Sequence, residues 1–357
     1  MKEAKIFHNW ELYIIIIISY LPINISAQNK IEYYQNPIII NKKSRPDVCV
    51  WKGENGFYNL LYTHVFGQAS IYQSKDLINW SESNLKPYNQ QTIKQLKQLA
   101  SKEGFKESAS LWAPNVVKIK DKWNLYTSIA NHVGIIVLQS DSPNGPFHFP
   151  GEPTILISPK SLGWKYDAID PCVLQDYDGS WYIFFGSSFG IYRAKLTNDG
   201  LKIAKDSKFT HVIGPTSPNN IVENKKHGGY EGVFLYKYKN WWYCFVSKRT
   251  DYSIYVGRSK TLTGEFLDRN GLSLKLGYGT RINYGTEGFE APGHNGEIFQ
   301  DKKGKYYIFY HAKTGEGSNK IYGLRQIILS ELIWDEDGFP HIKNYKAEKE
   351  NNIKPEL

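Results

Sequence analysis

Three cysteines in 357 residues are too few, and odd in number, for a disulfide framework. Cys49, Cys172 and Cys244 each lie in an apolar, strand-like run, which suits a small buried hydrophobe, and their spacing matches no zinc site. Charge is not concentrated either. The formal net charge is +9, but the basic residues are scattered without a run of five or six, the pattern of a solvated surface. With no accompanying recognition motif, nucleic acid is excluded as a partner, and attraction to an acidic cell-wall matrix is the lesser use of that charge. Long apolar runs are confined to the N-terminus. Lys2 and Lys5 precede an apolar stretch from Leu12 to Leu21, and Ile25-Ser26-Ala27 offers a cleavage site before Gln28. Residues 1–27 therefore read as a secretory signal peptide of an exported protein (periplasmic, cell-surface or secreted), with a retained anchor as the alternative. No other stretch could span a membrane, so no stable insertion is expected after signal removal.

Aromatics are abundant: 15% of the chain, with 26 Tyr and 10 Trp. They are also periodic. A polar turn followed by a short aromatic strand occurs five times, as Phe57-Tyr58-Asn59-Leu60-Leu61-Tyr62, Trp123-Asn124-Leu125-Tyr126, Trp181-Tyr182-Ile183-Phe184-Phe185, Trp241-Trp242-Tyr243-Cys244-Phe245 and Tyr306-Tyr307-Ile308-Phe309-Tyr310. Aromatic and β-branched side chains suit half-buried strands, and copies roughly every 60 residues mean radial repetition. The expectation is an all-β, five-bladed β-propeller as a single domain over residues 28–345, followed by a polar C-terminal tail, 346–357, that frays. Each blade reads as a meander of inner strand, aromatic strand, third strand and edge strand. Recurring Gly-His and Trp-Asp pairs are missing, which disfavours a scaffold propeller of the WD-repeat kind, and no Ser-x-Asp-x-Gly-x-Thr-Trp repeat of a sialidase is present. Long connections at about 82–110, 204–230 and 267–293 run from edge strand to next inner strand, all on one face. The first carries Ile93, Leu96, Leu99 and Ala100 among Lys and Gln, the pattern of a short amphipathic helix.

The openings of the five inner strands hold the chemistry. They read Arg45-Pro46-Asp47-Val48, Leu111-Trp112-Ala113-Pro114-Asn115, Ala168-Ile169-Asp170-Pro171, Gly229-Tyr230-Glu231-Gly232 and Ala291-Pro292-Gly293-His294. Inner strands pack around a tight axis, so Asp47, Asp170, Glu231 and His294, at corresponding points of their repeats, are expected in one small pit. Like charges brought close and partly desolvated separate in pKa, which lets two carboxylates work as one acid and one base. A pair flanking a bond with room for water is the machinery of inverting glycoside hydrolysis. The residues alone do not decide between Asp47 and Asp170 as the base.

Asp47, Trp112-Ala113-Pro114, Ile169-Asp170-Pro171, Tyr230-Glu231-Gly232 and Pro292-Gly293-His294 resemble, in order and spacing, the motif series of glycoside hydrolase family 43, a family of five-bladed propellers. The stretch from Tyr255 to Gly264, Pro292-Gly293-His294-Asn295 and Tyr310-His311-Ala312 are similar to its arabinanase branch. The resemblance implies Asp47 as general base, Glu231 as general acid, and Asp170 as the group that orients Glu231 and keeps its pKa raised. It implies sugar contacts from Arg325, Trp112 and His294, and a calcium ion near the axis that His294 contacts through water. The substrate implied is an arabinose- or xylose-containing polysaccharide or oligosaccharide, cleaved at α-L-arabinofuranosyl linkages in the style of an endo-1,5-α-L-arabinanase. The alternatives are an exo-acting α-L-arabinofuranosidase or β-xylosidase on the same fold, and a non-catalytic carbohydrate-binding propeller. His64, His132, His227 and His311 receive no catalytic role. Two departures from the family pattern, Val48 after Asp47 and Asn115 after the Trp-Ala-Pro motif, lie beside the expected sugar site and bear on substrate choice. So does the 82–110 insertion, which could close one end of a groove.

Overall fold

The computed structural model describes residues 31–39, 43–104, 110–130, 133–160, 167–188, 190–214, 229–315 and 324–357. The segment read as a signal peptide, His132 and His227 lie outside the described residues. The propeller unit runs from Tyr33 to Leu357.

Five antiparallel sheets form the blades. Blade one is Cys49–Lys52, Tyr58–Leu61, Tyr72–Ser74 and Ser81–Glu82. Blade two is Ser110–Ile119, Lys122–Ile129 and Gly134–Ser140, with the short strand His64–Val65 from blade one's second connection paired on its start. Blade three is Cys172–Gln175, Trp181–Ser187, Gly190–Lys195 and Thr210–Ile213. Blade four is Tyr230–Tyr238, Trp241–Lys248, Ile254–Ser259 and Thr280–Arg281. Blade five has a broken inner strand, Glu290–Gly293 and Ile298–Gln300, then Tyr306–Thr314, Leu324–Trp334 and Pro340–Ile342. The aromatic repeat is the second strand of every blade.

Strand periodicity explains why the aromatic strands are apolar on both faces. Successive side chains point to opposite faces, and each face of a blade meets a neighbouring blade. Phe184 faces the core shared with blade four, while Ile183 and Phe185 face that shared with blade two. Tyr243 and Phe245 pack towards blade five, and Trp242, Cys244 and Val246 towards blade three. Five such cores exist, one between each adjacent pair, including Val50 and Leu60 against Phe309 and Leu329 between blades one and five. All three cysteines are buried and unpaired.

Two expectations differ from the structure. The tail is held rather than frayed: Asn352–Ile353 pairs with Tyr33–Tyr34, and the Asn36 amide nitrogen donates to the carbonyls of Leu329 at 2.8 Å and Glu348 at 3.1 Å. Polar composition hid this because much of the hold comes from backbone and amide hydrogen bonds, with Ala347 and Leu357 the apolar contacts of the segment. The connections at 204–230 and 267–293 are also shorter than they read, since the edge strands Thr210–Ile213 and Thr280–Arg281 lie inside them. Edge strands of few residues carry little pattern.

The helix in the first connection spans Gln90–Lys102. Asn89 caps it, its Oδ1 accepting from Thr92 N at 2.8 Å, which satisfies one of the free amides of the first turn. Leu96, Leu99 and Ala100 are buried on the core between blades one and two, where Ile93 also packs. The preceding Tyr88 stacks on His64, ring centroids 5.7 Å apart.

Candidate active site

One backbone feature repeats at the head of all five blades. Asp47, Ala113, Asp170, Gly232 and His294 each adopt a left-handed conformation, with φ of 57°, 47°, 54°, 63° and 45°. For a residue with a Cβ this costs about 1–2 kcal/mol, so the turn must be held by something. The holder is the preceding blade. The Ala113 N–H donates to Thr63 Oγ1 (2.9 Å), Asp170 N–H to Ser128 Oγ (3.2 Å), His294 N–H to Ser247 Oγ (2.6 Å) and Asp47 N–H to His311 Nδ1 (3.0 Å). Blade four differs: the Gly232 N–H donates to Asp170 Oδ2 at 2.9 Å, which frees Ser187 to donate to Glu231 Oε2 at 3.1 Å.

This register corrects the expected equivalence. Asp47, Asp170 and His294 are true counterparts, but Glu231 stands one residue ahead of its blade's left-handed position, which Gly232 occupies. Glu231 pairs with Ser247 as Trp112 pairs with Ser128, and the same bulge follows in both blades, between Glu231 and Phe234 and between Trp112 and Asn115. Glycine is required at residue 232 because a Cβ would come within 2.8 Å of His294 Cγ.

The four expected residues do meet. His294 Nδ1 lies 3.0 Å from Asp47 Oδ1 and 4.0 Å from Asp170 Oδ2. Thr63 Oγ1 donates to Asp47 Oδ2 at 2.5 Å. Burial alone would raise Asp47, but the charge and hydrogen bond of His294, with His311 and Thr63, hold it well below the usual carboxylate range. Asp170 behaves oppositely: burial, with the neighbouring charges of Glu231 and Asp47 and against that of His294, pushes it up to about 7. His294, though burial opposes its charge, is carried up to about 9 by Asp47 and Asp170. His311 is pulled well below its ordinary value by burial and stays neutral. Its Nδ1 accepts the Asp47 amide, so its 3.6 Å approach to Asp47 Oδ1 is not an ion pair.

Glu231 is gripped on one oxygen, with Arg249 Nε 3.4 Å from the same Oε2 that Ser187 reaches. Arg325 enters from blade five, its guanidinium 5.5 Å from the centre of the Tyr252 ring. Trp112 is half-buried beside Ala113, and its Nε1 donates to Ser110 Oγ at 2.8 Å. Asn115, which departs from the family pattern, accepts the Val173 N–H at 2.9 Å and ties blade two to blade three.

Calcium prefers about six to eight oxygen ligands. Among the described residues, no group of three or more His, Cys, Asp or Glu side chains is placed to hold a metal. Asn295 Oδ1 is buried without a partner, a single oxygen donor next to His294, whose imidazole is engaged by Asp47 and positively charged. The residues present do not make up a calcium site from protein ligands.

Sequence reasoning missed Thr63, Ser187, Tyr252 and Arg249, and set His311 aside. A signal for three of these, Thr63, Ser187 and His311, existed. Thr63, Ser128, Ser187, Ser247 and His311 each follow an aromatic of the second strand, Tyr58, Trp123, Tyr182, Trp242 and Tyr306, by the same five residues. Tyr252 and Arg249 lie near a hairpin tip and carry no motif.

A five-bladed propeller with three carboxylates converging in one pit, their ionisation divided by an imidazolium, is the construction of a glycoside hydrolase. The sequence profile of Glycosyl hydrolases family 43 matches residues 34–340, and the chain belongs to that family. Among curated proteins, it is 25% identical to the extracellular exo-α-(1→5)-L-arabinofuranosidase ArbA of Cellvibrio japonicus, covering 76% of this chain and 80% of that protein. It is 28% identical to the extracellular endo-α-(1→5)-L-arabinanase of Thermotoga petrophila, covering 77% of this chain and 66% of the relative. Among solved structures, the α-L-arabinanase of Cellvibrio cellulosa complexed with arabinohexaose superposes with a TM-score of 0.68 at 22% identity, over 86% of this chain and 99% of that one. Among the described residues, no helix is long and apolar enough to cross a membrane.

Proposed function

We propose that this protein is an exported inverting hydrolase of α-(1→5)-linked L-arabinofuranosyl chains, with Asp47 as general base and Glu231 as general acid. The observation that carries the assignment is the opposite treatment of the two axial aspartates. Asp47 is bonded to His294 and Thr63 and kept ionised, as a base that activates water must be. Asp170 is raised to about 7 and spends Oδ2 on the Gly232 amide, next to Glu231. Asp170 therefore orients the acid through its backbone rather than attacking water itself. In the reaction, Asp47 takes a proton from a water on one face of the sugar while Glu231 gives its proton to the departing oxygen on the other, and the anomeric configuration inverts. Arg325, Trp112 and His294 are the sugar-facing groups of this reading.

Arabinan as substrate is supported by the activities that the two curated relatives carry in their names. Export is supported by the word extracellular in both, together with the N-terminal pattern of Lys2, Lys5 and Leu12–Leu21. The relatives divide between exo and endo action, so hydrolysis of linear arabinan with product sizing is the deciding experiment, run beside debranched arabinan, arabinoxylan and xylan. Early oligomers mean endo cleavage, and monosaccharide alone means exo. Cleavage confined to xylan would replace arabinan with a xylose polymer. Anomeric NMR of the first product must show inversion; retention would remove Asp47 from the role of base.

A further inference from the structure

The chain leaves the edge strand of blade four, Thr280–Arg281, at the height of the pit. The Ile282 N–H donates to the Ile254 carbonyl at 3.0 Å, and Ile254 pairs with Ser247, which pairs with Glu231. Asn283 is fully buried and ties this exit to blade five. Its Oδ1 accepts the Ile254 N–H at 2.8 Å, and its Nδ2 donates at 3.1 Å to the carbonyl of Pro292, two residues before His294. With strands about 4.8 Å apart, the exit lies roughly 14 Å outward from Glu231 along the same rim.

Two tyrosines stand out from that rim. Tyr284 is 48% exposed, and Tyr345, in the turn after the edge strand of blade five, is 38% exposed. Their ring centroids are 6.2 Å apart, and the Tyr284 N–H donates to the Tyr345 carbonyl at 2.7 Å, so two blades hold them as a pair. Each ring is backed. The Arg281 guanidinium lies 3.9 Å from the Tyr284 centroid and is itself fixed by Asp251 at 2.5 Å, Ser253 Oγ at 2.7 Å and the Asn283 carbonyl at 2.9 Å. His341 stacks on Tyr345 with centroids 4.4 Å apart and planes at 10°, and its Nε2 lies 3.1 Å from Asp335 Oδ1. The turn is strained to present Tyr345: Asn344 and Tyr345 both have φ of 57°, at about 1–3 kcal/mol each. Burial does not repay that strain, since Tyr345 leaves over a third of its surface in water.

We propose that Tyr284 and Tyr345 form a second sugar-binding site, a platform that holds a polysaccharide chain away from the bond being cut. The inference rests on the reading of this protein as an arabinan hydrolase. A tyrosine already packed on one face loses little freedom on binding, and its amphipathic ring suits a sugar's apolar face with hydroxyls at the edge. The occupant follows from continuity. Asn283 joins platform and pit on one rim, so a chain long enough to cross that distance engages both, and its second contact becomes intramolecular.

The test compares the parent with the paired variant Tyr284→Ala and Tyr345→Gly; glycine is at ease in the left-handed turn, so the ring is removed without breaking it. Native electrophoresis through gels containing linear α-(1→5)-L-arabinan, arabinoxylan or xylan reads binding. The paired variant should bind arabinan ~5–20-fold more weakly, and its kcat/KM on long arabinan should fall ~3–10-fold. On the shortest arabino-oligosaccharide cleaved, which does not span the rim, kcat/KM should stay within about twofold. Tyr284→Phe keeps the ring and should bind like the parent; weakening as large as in the paired variant would overturn a stacking platform. Equal retention of parent and paired variant on every polymer overturns the proposal, as does an equal loss on long and short substrates. If the parent cleaves arabinan and either result is found, the platform fails alone. If the parent is held by xylan or arabinoxylan only, and the paired variant is released, the platform stands and arabinan as substrate fails.

Discussion

His294 Nδ1 lies 3.0 Å from Asp47 Oδ1 and 4.0 Å from Asp170 Oδ2, so one imidazolium serves two carboxylates unequally. The nearer aspartate is stabilised as an anion, and the farther one is left to its burial and to the repulsion of Glu231 and Asp47. That unequal contact, together with His311 and the Thr63 hydroxyl on Asp47 and the Glu231 charge beside Asp170, drives the two carboxylates in opposite directions.

The first consequence concerns Asp47. Asparagine there can still accept the Thr63 hydroxyl, so the left-handed turn survives, but it cannot take a proton from water. Asp47→Asn should lower kcat on arabinan by ~10²–10⁴-fold. Azide, a nucleophile that needs no base, should restore turnover and give the inverted glycosyl azide, read by NMR. Full activity without azide would refute the assignment.

Asp170 leads to a prediction about stability. Its carboxyl is raised from an ordinary value near 4 to about 7 in the folded protein, so the native state holds this proton more tightly than the unfolded chain. Between about pH 4 and 7 the unfolded chain loses it first, and this site costs stability progressively over that window, fully above it. Asp170→Asn removes the titration and keeps an acceptor for the Gly232 amide. The variant should melt higher than the parent at pH 8, by roughly 2 °C or more, and show little difference at pH 4, while losing activity. Melting curves at the two pH values check this, and a uniform shift at both would contradict it.

His294 has the opposite sign. A histidine raised to about 9 contributes stability fully below its unfolded value near 6.5, and loses that contribution as pH rises through 9. His294→Gln should therefore narrow the gap in melting temperature between parent and variant from pH 6 to pH 10. A gap that stays constant would show that the imidazole is not charged in the fold.

The aromatic repeat was legible because it is built from many side chains of one kind. Tyr58, Trp123, Trp181, Trp241 and Tyr306 mark the second strands, and Asp47, Asp170 and His294 follow from them as true equivalents. The one-residue displacement of Glu231 was not legible. It shows only in the backbone, where Gly232 takes the left-handed position and its amide takes Asp170 rather than Ser187 as partner, a property of neighbouring blades rather than of residue order. His311 was set aside because a histidine in an aromatic strand looks like any half-polar strand residue. Its role becomes visible only when blade five closes on blade one and its Nδ1 meets the Asp47 amide. The C-terminal strand Asn352–Ile353 was hidden for a similar reason, since two residues carry no periodicity.

Gly232 tests whether the left-handed turn itself matters. Alanine there would pay the left-handed penalty of about 1–2 kcal/mol and bring its Cβ within 2.8 Å of His294 Cγ. Either His294 moves off Asp47, or the Gly232 amide moves off Asp170. Gly232→Ala should lower the denaturant midpoint and also reduce kcat by more than about tenfold, because both escapes disturb the pit. A variant with parental kcat would show that the pit tolerates the displacement.

The helix Gln90–Lys102 separates stability from chemistry. Leu96 is fully buried in the core between blades one and two. Leu96→Ala leaves a cavity there, which should cost about 2–5 kcal/mol by chemical denaturation. Its kcat on arabinan, measured well below the melting temperature, should stay within about twofold of the parent, since Asp47 is held by His294, His311 and Thr63 rather than by the helix. If Leu96→Ala instead changes the ratio of oligomers to arabinose among the products, the helix reaches the bound chain, and the first connection sets which end of the polysaccharide is cut.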